Sequence, residues 1–292
     1  MGDKQPHMDI ALITYWGLPE LTEDDRRLLE PLRARGLRPH IVRWDDPDED
    51  WRGYRLVLVR ATWDYFLKPV EFLAWLERVS SLVEVLNPPD VLRWNSHKSY
   101  LLELAGKGVP VTPTALCPRG RAASLPALVA ERGWGAVVVK PAVSGGGRLT
   151  RRFEPARLAD EGQAHLETVL AEGDALVQPF LPALHEGGER SYLFFDGVFS
   201  HAVVRPRTME AEGGTLPDGV PMAPRAEEMA LSERVLAAIP GRTLYARVDV
   251  ATGPEGTPLL QELEVIEPRL FFGASEAAPG RFAEALVRHL SR

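Results

Sequence analysis

Three segments of this chain place reactive side chains where a folded backbone can use them. In the first, Val137-Val138-Val139-Lys140-Pro141 runs into Ser144-Gly145-Gly146-Gly147-Arg148. A lysine leaving a buried strand beside adjacent glycines suits an anion, because no Cβ blocks the approach of the backbone N–H groups. A flexible hairpin tip is the other reading of the same pattern. The segment is neither a Walker A loop nor a dinucleotide fingerprint: GxxxxGK[ST] is absent, and Thr150 stands where GxGxxG needs its third glycine. The second segment, Leu259–Pro268, carries Glu262 and Glu264 two apart, hence on one strand face, with Leu263 and Val265 on the other. Adjacent carboxylates repel unless a cation lies between them. Asp249, in Arg247-Val248-Asp249 on the preceding strand, adds another oxygen donor. That is a Mg2+ site in outline; the alternative is a solvated face of an edge strand. The third segment is Leu176-Val177-Gln178-Pro179-Phe180-Leu181, followed by Glu186-Gly187-Gly188-Glu189-Arg190-Ser191. A strand stopped by Pro179 leaves backbone groups that can pair with the edge of a flat heterocycle, although a plain interdomain linker fits as well.

Composition narrows what these segments act on. The chain has 292 residues, 45% of them hydrophobic and 26% charged, as in an ordinary globular protein of two or three subdomains. The net charge of −7 lacks the electrostatic footprint of a nucleic-acid binder. No uncharged stretch exceeds 11 residues, too short to span a bilayer. The N-terminus has no apolar h-region, and the single cysteine, Cys117, forms neither an internal disulfide nor a thiolate cluster. The expectation is a cytoplasmic protein acting on something small, with no nucleic-acid or membrane partner and a homodimer as the candidate assembly. Only five of the 34 basic residues are lysines: Lys4, Lys68, Lys98, Lys107 and Lys140. A lysine in an arginine-using chain marks a place where a compact ammonium is wanted.

The elements that must position these groups read as follows. Residues 1–8 form a disordered start or expression remnant. Strands at Asp9–Thr14, Pro39–Trp44 and Arg55–Arg60, a helix begun by Thr22 and ended before Gly36, and an amphipathic helix 69–79 predict a small open α/β sheet over 9–93. Asn87-Pro88-Pro89 marks a boundary. Asn95 is read as the N-cap of a helix running through Lys98. Residues 94–173 form a central domain with strands Ala136–Lys140 and Leu149–Phe153. Residues 174–292 form a C-terminal domain with strand Ala175–Pro179, a hairpin turning on Asp196-Gly197, helix 225–238, strands 243–251 and 258–266, and a closing helix 279–290. Residues 206–224, dense in Gly and Pro, are expected as a mobile loop.

Taken in order, Lys98, Lys140 with its small-residue loop, the Gln178 hinge, Arg247/Asp249 and Glu262/Glu264 resemble the ATP-grasp superfamily of the glutathione synthetase and D-alanine–D-alanine ligase type. The resemblance runs from about Trp94 to Phe272. Ala61-Thr62-Trp63-Asp64-Tyr65, Glu71–Leu76, Asn87-Pro88 and Trp94-Asn95 with Lys98–Leu101 look most like the bacterial subgroup that contains the D-cycloserine-forming cyclo-ligase. Two positions depart from the common pattern: His97 stands where an acid often precedes the lysine, and Glu264 where glutathione synthetases carry Asn.

The resemblance implies an α/β protein of α+β subdomains, an ATP-grasp fold with an N-terminal open α/β domain. It implies ATP and a pair of Mg2+ ions, with Mn2+ an admissible substitute. Lys98 and Lys140 would meet the α- and β-phosphates. Ser144, Gly145, Gly146 and Gly147 would fold over the β- and γ-phosphates. Gln178, Pro179, Phe180 and Leu181 would hold adenine, and Glu189 the ribose, with Glu186 as rival. Asp249, Glu262 and Glu264 would hold the metal, Glu262 bridging, while Arg205 and Arg247 would neutralise the transferring phosphoryl group. The reaction implied is ADP-forming carbon–nitrogen ligation through an acyl phosphate, between molecules or by cyclisation, in specialised-metabolite biosynthesis. The alternatives are a small-molecule kinase and a non-catalytic ATP-binding regulator. Ligands of open α/β sheets lie beyond the carboxyl ends of the strands. The N-terminal loops therefore offer Arg60 for a substrate carboxylate, Asp64 for an amine, and Tyr15, Trp16 and Trp63 as walls around an amino-acid-like substrate.

Overall fold

The computed structural model describes residues 8–205 and 219–291. The N-terminal unit is a parallel sheet in the order β2-β1-β3-β4, formed by β1 (Met8–Thr14), β2 (Leu37–Arg43), β3 (Leu56–Val59) and β4 (Glu84–Leu86). Its apolar runs are buried on both faces, as a parallel sheet requires. The fourth strand, three residues long, is too short to show a periodicity in the sequence. Helix α1 (Glu23–Arg26) starts where the Thr22 hydroxyl accepts the Asp25 N–H at 2.9 Å. The helix expected to continue to Gly36 instead breaks, and α2 (Leu29–Arg33) begins anew. Pro31 has no N–H to donate to the Arg27 carbonyl, so the first helix cannot run on. On the other face α3 (Pro69–Ser80) buries Phe72, Trp75, Leu76 and Val79.

Helices α4 (Pro89–Asn95) and α5 (Tyr100–Gly106) link this unit to the rest. Asn95 closes α4 rather than capping the next helix, and Lys98 lies in the turn between the two. The second sheet, order β5-β8-β6-β7, is antiparallel: β5 (Ala115–Cys117), β6 (Val137–Pro141), β7 (Arg151–Phe153) and β8 (Ala175–Pro179). Helices α6 (Leu125–Arg132) and α7 (Gln163–Glu172) pack on it through Leu125, Val129, Leu166 and Val169. Strand β8 pairs with β5 on one side and β6 on the other, so the boundary expected at Asp174 cuts through a continuous sheet.

After α8 (Pro182–Gly187) comes the third sheet, antiparallel in the order β11-β10-β9-β12-β13: β9 (Glu189–Phe195), β10 (Val198–Arg205), β11 (Val220–Met222), β12 (Tyr245–Thr252) and β13 (Pro258–Glu264). Asp196 and Gly197, at φ 53° and 77°, make the two-residue turn expected between β9 and β10. Most of the loop expected at 206–224 lies outside the described residues, and its end is β11. Helix α9 (Ala226–Ala238) packs on this sheet. Helix α10 (Ala278–Leu290) sets Phe282 and Leu286 in one core with Ile10 and Leu12 of β1 and Phe195 and Tyr245 of the third sheet. Among the described residues no helix is long and apolar enough to cross a membrane.

Strand β13 is the edge of its sheet; the backbone of Pro110 and Thr112 pairs with Leu260, and side chains complete the outer hydrogen bonds nearer the strand's end. Asn87 Nδ2 donates to the carbonyls of Val265 (2.7 Å) and Tyr245 (2.9 Å), and its Oδ1 accepts the Leu244 N–H at 2.6 Å. Asn95 Nδ2 donates to Leu263 O at 2.9 Å and its Oδ1 accepts the Val265 N–H at 3.2 Å. The Tyr100 hydroxyl lies 2.9 Å from Leu263 O and accepts the Leu263 N–H at 3.0 Å. Cutting this seam strands buried backbone groups. Asn87→Ala should therefore cost about 2–4 kcal/mol of stability, read from urea denaturation midpoints at unchanged slope.

Candidate active site

A cavity of about 370 Å3 lies between the three sheets. Strand register explains its polar wall. Arg247 stands opposite Glu264, and Asp249 opposite Glu262, on β12–β13. Asp249 stands opposite Ser191 on β9, and Glu189 opposite Arg205 on β10. The period of two turns these side chains to one face, while Leu263 and Val265 enter the core behind it. The acidic strand is thus an edge strand of the sheet, but its Glu face lines a cavity.

The charges are interlocked. Asp249 accepts from Ser191 Oγ (2.6 Å), Arg247 Nε (2.9 Å) and an Arg205 guanidinium nitrogen (2.9 Å). The same Arg205 nitrogen reaches Glu189 at 2.6 Å, and Arg247 also holds Glu264. Lys98 Nζ lies 2.9 Å from Glu262 and 2.9 Å from the Ser144 carbonyl, tying the acidic strand to the glycine loop. Burial by itself raises the Asp249 carboxyl, but Arg247 and Arg205 overcome it and hold the group low. Lys98 and Lys140 do the same for Glu262. Burial wins at Glu264, which is pushed up: its guanidinium is shared with Asp249, and two carboxylates stand near. Burial also pushes Glu267 up to about 8, with Glu264 and Glu262 adding to the effect. Phe271, at φ 48°, sets its ring below three guanidiniums, those of Arg269 (5.2 Å), Arg205 (5.6 Å) and Arg247 (5.8 Å).

The structure brings Lys98, Lys140, Ser144, Gly145, Gly146, Gly147, Gln178, Pro179, Phe180, Leu181, Glu189, Arg205, Arg247, Asp249, Glu262, Glu264 and Trp63 around this one cavity. The hinge is less open than its sequence implies: Pro179 stays in register with Val137, and the Phe180 N–H is spent on the Ala136 carbonyl at 2.8 Å. Gly146 and Gly147 adopt φ 60° and 75°, and a Cβ at Gly145 would meet the Phe66 ring at 2.7 Å, so the loop uses its glycines for turning and for close approach. Glu186 lies outside the residues whose side chains are described. His97, which departs from the family pattern, accepts the Ser99 N–H on Nδ1 at 3.2 Å and turns Nε2 to Asp174 at 3.4 Å. It braces the turn that carries Lys98.

The expected substrate contacts need correction. Arg60 is 0% exposed: Nε and a terminal nitrogen donate to Asp25 at 3.1 and 2.9 Å, and the latter also donates to the Pro268 carbonyl at 2.8 Å. A guanidinium so locked has no face left for a carboxylate. Asp64 is buried, accepting from Trp44 Nε1 at 2.8 Å beside Lys68 at 3.3 Å. Trp16 is 71% exposed beneath Arg43, away from the cavity, and Tyr15 packs into the core of the first sheet without reaching it. The walls that sequence reading missed include Tyr65, Phe66, Asn95, Tyr100, Glu267 and Arg269. Tyr65 adjoins the aromatic loop that was noticed. Glu267 sits beyond the strand period, which is why alternation did not flag it.

Among the described residues no set of three or more His, Cys, Asp or Glu side chains forms a ready-made metal cage. The donor set nonetheless suits Mg2+, which needs only one or two protein carboxylates when phosphates complete its shell. The high Glu267 carboxyl has a stability consequence. Folded, it keeps its proton to about pH 8; unfolded, it releases it near 4.5. The folded state therefore binds more protons across that interval, and this group makes stability fall as pH rises through it. Glu267→Gln removes that slope, so its Tm advantage over the parent should be larger by at least ~2 °C at about pH 8 than at about pH 5.5, measured by calorimetry.

Comparison with known proteins agrees with this geometry. Residues 10–87 match the family described as D-cycloserine synthetase DcsG, N-terminal domain. The cycloserine biosynthesis protein DcsG of Streptomyces lavendulae is 31% identical over 301 residues, spanning 96% of this chain and 98% of that one. A glutathione synthetase of Rhodopseudomonas palustris is 28% identical over 236 residues, spanning 78% of this chain and 70% of that one. The crystal structure of D-cycloserine synthetase DcsG superposes with a TM-score of 0.89 at 30% identity, covering 97% of this chain and 99% of the other. A Bacillus anthracis D-alanine–D-alanine ligase, solved with ATP, shares the fold alone, with a TM-score of 0.69 at 14% identity over 96% of each chain. In sequence over nearly its whole length and in fold, the chain belongs to the ATP-grasp ligases, within the family of D-cycloserine synthetase DcsG.

Proposed function

We propose that the cavity binds ATP with Mg2+ and joins the carboxyl group of a small amino-acid-like molecule to a nitrogen through an acyl phosphate. The observation that carries this reading is the meeting of phosphate-type cations, a glycine loop and three carboxylates in one cavity assembled from three sheets. The names of the relatives favour amide formation by cyclisation in antibiotic biosynthesis, with cycloserine as the product class. ATP and Mg2+ point to the cytoplasm as the place of action.

Residue by residue, Lys98 and Lys140 neutralise nucleotide phosphates, and Ser144–Gly147 cover them. Gln178–Leu181 line the adenine side, and Glu189 takes a ribose hydroxyl. Asp249, Glu262 and Glu264 would hold a pair of metal ions, which would screen the phosphate charge and draw electrons from the γ-phosphorus. The substrate carboxylate oxygen attacks that phosphorus and ADP leaves. The nitrogen then attacks the acyl carbon, loses its proton and expels inorganic phosphate. Arg205 and Arg247 face the charge that grows at both steps. No nucleophilic side chain takes part.

Glu262→Gln keeps the volume but removes the charge that two dications would share, so ADP formation should fall at least about a hundredfold. Glu264→Asn should be milder and partly rescued by extra Mg2+, because a neutral oxygen still coordinates. ADP formation across a Mg2+ series, with a melting curve for each variant, separates the two. Lys140→Ala should lose most ATP affinity, read by titration calorimetry, without loss of fold. Phosphate release is the assay that defines the reaction: it should require both the carboxylate and the nitrogen function, screened among amino acids and their amino-oxy and ureido derivatives. ADP formed without phosphate release would instead mark a kinase.

A further inference from the structure

With Arg60 and Asp64 locked in structural contacts, the carboxylate that meets a substrate amine must be sought elsewhere in the cavity. Four of the cavity acids, Glu189, Asp249, Glu262 and Glu264, each touch an arginine or lysine. Glu267 has no such ion pair among the described residues; Lys98 and Arg247 act on it only from a distance. It stands three residues beyond Glu264, past the end of β13, on the seam between the metal face and the N-terminal unit. Trp63 Nε1 donates to its backbone carbonyl at 3.1 Å, fixing it to the loop that leaves the carboxyl end of β3. Trp63, Tyr65 and Phe66 line the same cavity, Tyr65 close enough to feel the Glu267 charge, and aromatic rings favour a cation.

An α-amino acid carries its ammonium two bonds from the carboxyl carbon. If the carboxyl is held at Arg205 and Arg247 for activation, the ammonium needs an acid close to the metal face but not part of it. We propose that Glu267 receives the ammonium of an amino-acid substrate and so sets the preference for amino acids over the corresponding hydroxy acids. This rests on the ligase reading above and adds to it the residue that selects the amino-acid class of substrate.

The test measures ADP formation by the full-length enzyme with serine, alanine and their amino-oxy and ureido derivatives, each against its 2-hydroxy counterpart. The parent enzyme should favour the best amino acid by about a hundredfold in kcat/KM over its hydroxy analogue. In Glu267→Gln the KM for that amino acid should rise about thirtyfold and the preference should nearly vanish. The KM for ATP should stay within about twofold, which also reports a folded site. Glu267→Asp, which keeps a carboxyl group that can give up its proton as the ammonium pairs with it, should restore part of the preference. A Gln variant that retains the full preference overturns the proposal and leaves the ligase reading standing. So does a Gln variant whose defect is a shifted Mg2+ requirement with the amino-acid KM unchanged. A parent enzyme that binds ATP but forms no ADP with any of these compounds overturns the ligase reading itself, and the proposal with it.

Discussion

Burying charge is the constraint on which the rest of this structure depends. Five carboxylates and five cations line one cavity, and a carboxylate taken from water is tolerated only against a cation or a set of hydrogen bonds. The third sheet meets this by register: Arg247 lies between Asp249 and Glu264, and Arg205 between Glu189 and Asp249. Lys98 supplies the same service to Glu262 from outside the sheet. The cations that a polyphosphate would attract are thereby held in place by acids before it arrives. The acids that a metal would attract are likewise held by cations. Ligand binding becomes an exchange of partners rather than the ordering of free side chains, which keeps its entropic cost low.

That exchange needs a rigid backbone, and the weak point is β13, an edge strand carrying two of the acids. Its outer side is closed at Leu260 by the backbone of Pro110 and Thr112, and near Leu263 and Val265 by Asn87, Asn95 and Tyr100, from the link between the first and second sheets. The seam does two things at once. It removes unpaired backbone groups from a buried edge, and it fixes the position of the N-terminal unit relative to the acidic face. Arg60 works at the same joint. Its guanidinium bridges Asp25 and the Pro268 carbonyl and lies 4.9 Å from the Tyr245 ring centre. Tyr245 OH in turn reaches the Val59 and Ile266 carbonyls at 2.7 and 2.9 Å. An arginine that reads as a substrate clamp thus serves as the bolt between two units.

Some of the site works against stability. Glu264 and Glu267 hold protons far above the usual carboxylate range because burial and the charge of neighbouring carboxylates disfavour ionisation. Phe271 takes a left-handed backbone conformation without being glycine, with its ring shared by three guanidiniums. Such features persist where the surrounding structure over-determines them, and they gather at functional sites.

Most of the strands, the lysine and glycine loop and the Asp249/Glu262/Glu264 set were legible in the residues themselves, and the superfamily followed from their resemblance to it. Each is encoded locally: alternation in a strand, glycines in a turn, a lysine in an arginine-rich chain. The short strand β4, the break between α1 and α2 and the membership of β8 were not, since three residues show no period and a strand's partners lie far off in sequence. The substrate side was misread for the same reason. Arg60, Asp64 and Trp16 have the right chemistry, but whether a side chain faces a ligand or a buried partner depends on what the fold sets opposite it. Asp25, Trp44 and Arg43 took those places. Glu267 came forward only when β13 ended and the loop after β3 closed against it. Residue type and spacing determined which chemistry this chain can do; tertiary packing alone decided which charged groups remain for a ligand, because desolvation forces every other one to find a partner within the protein.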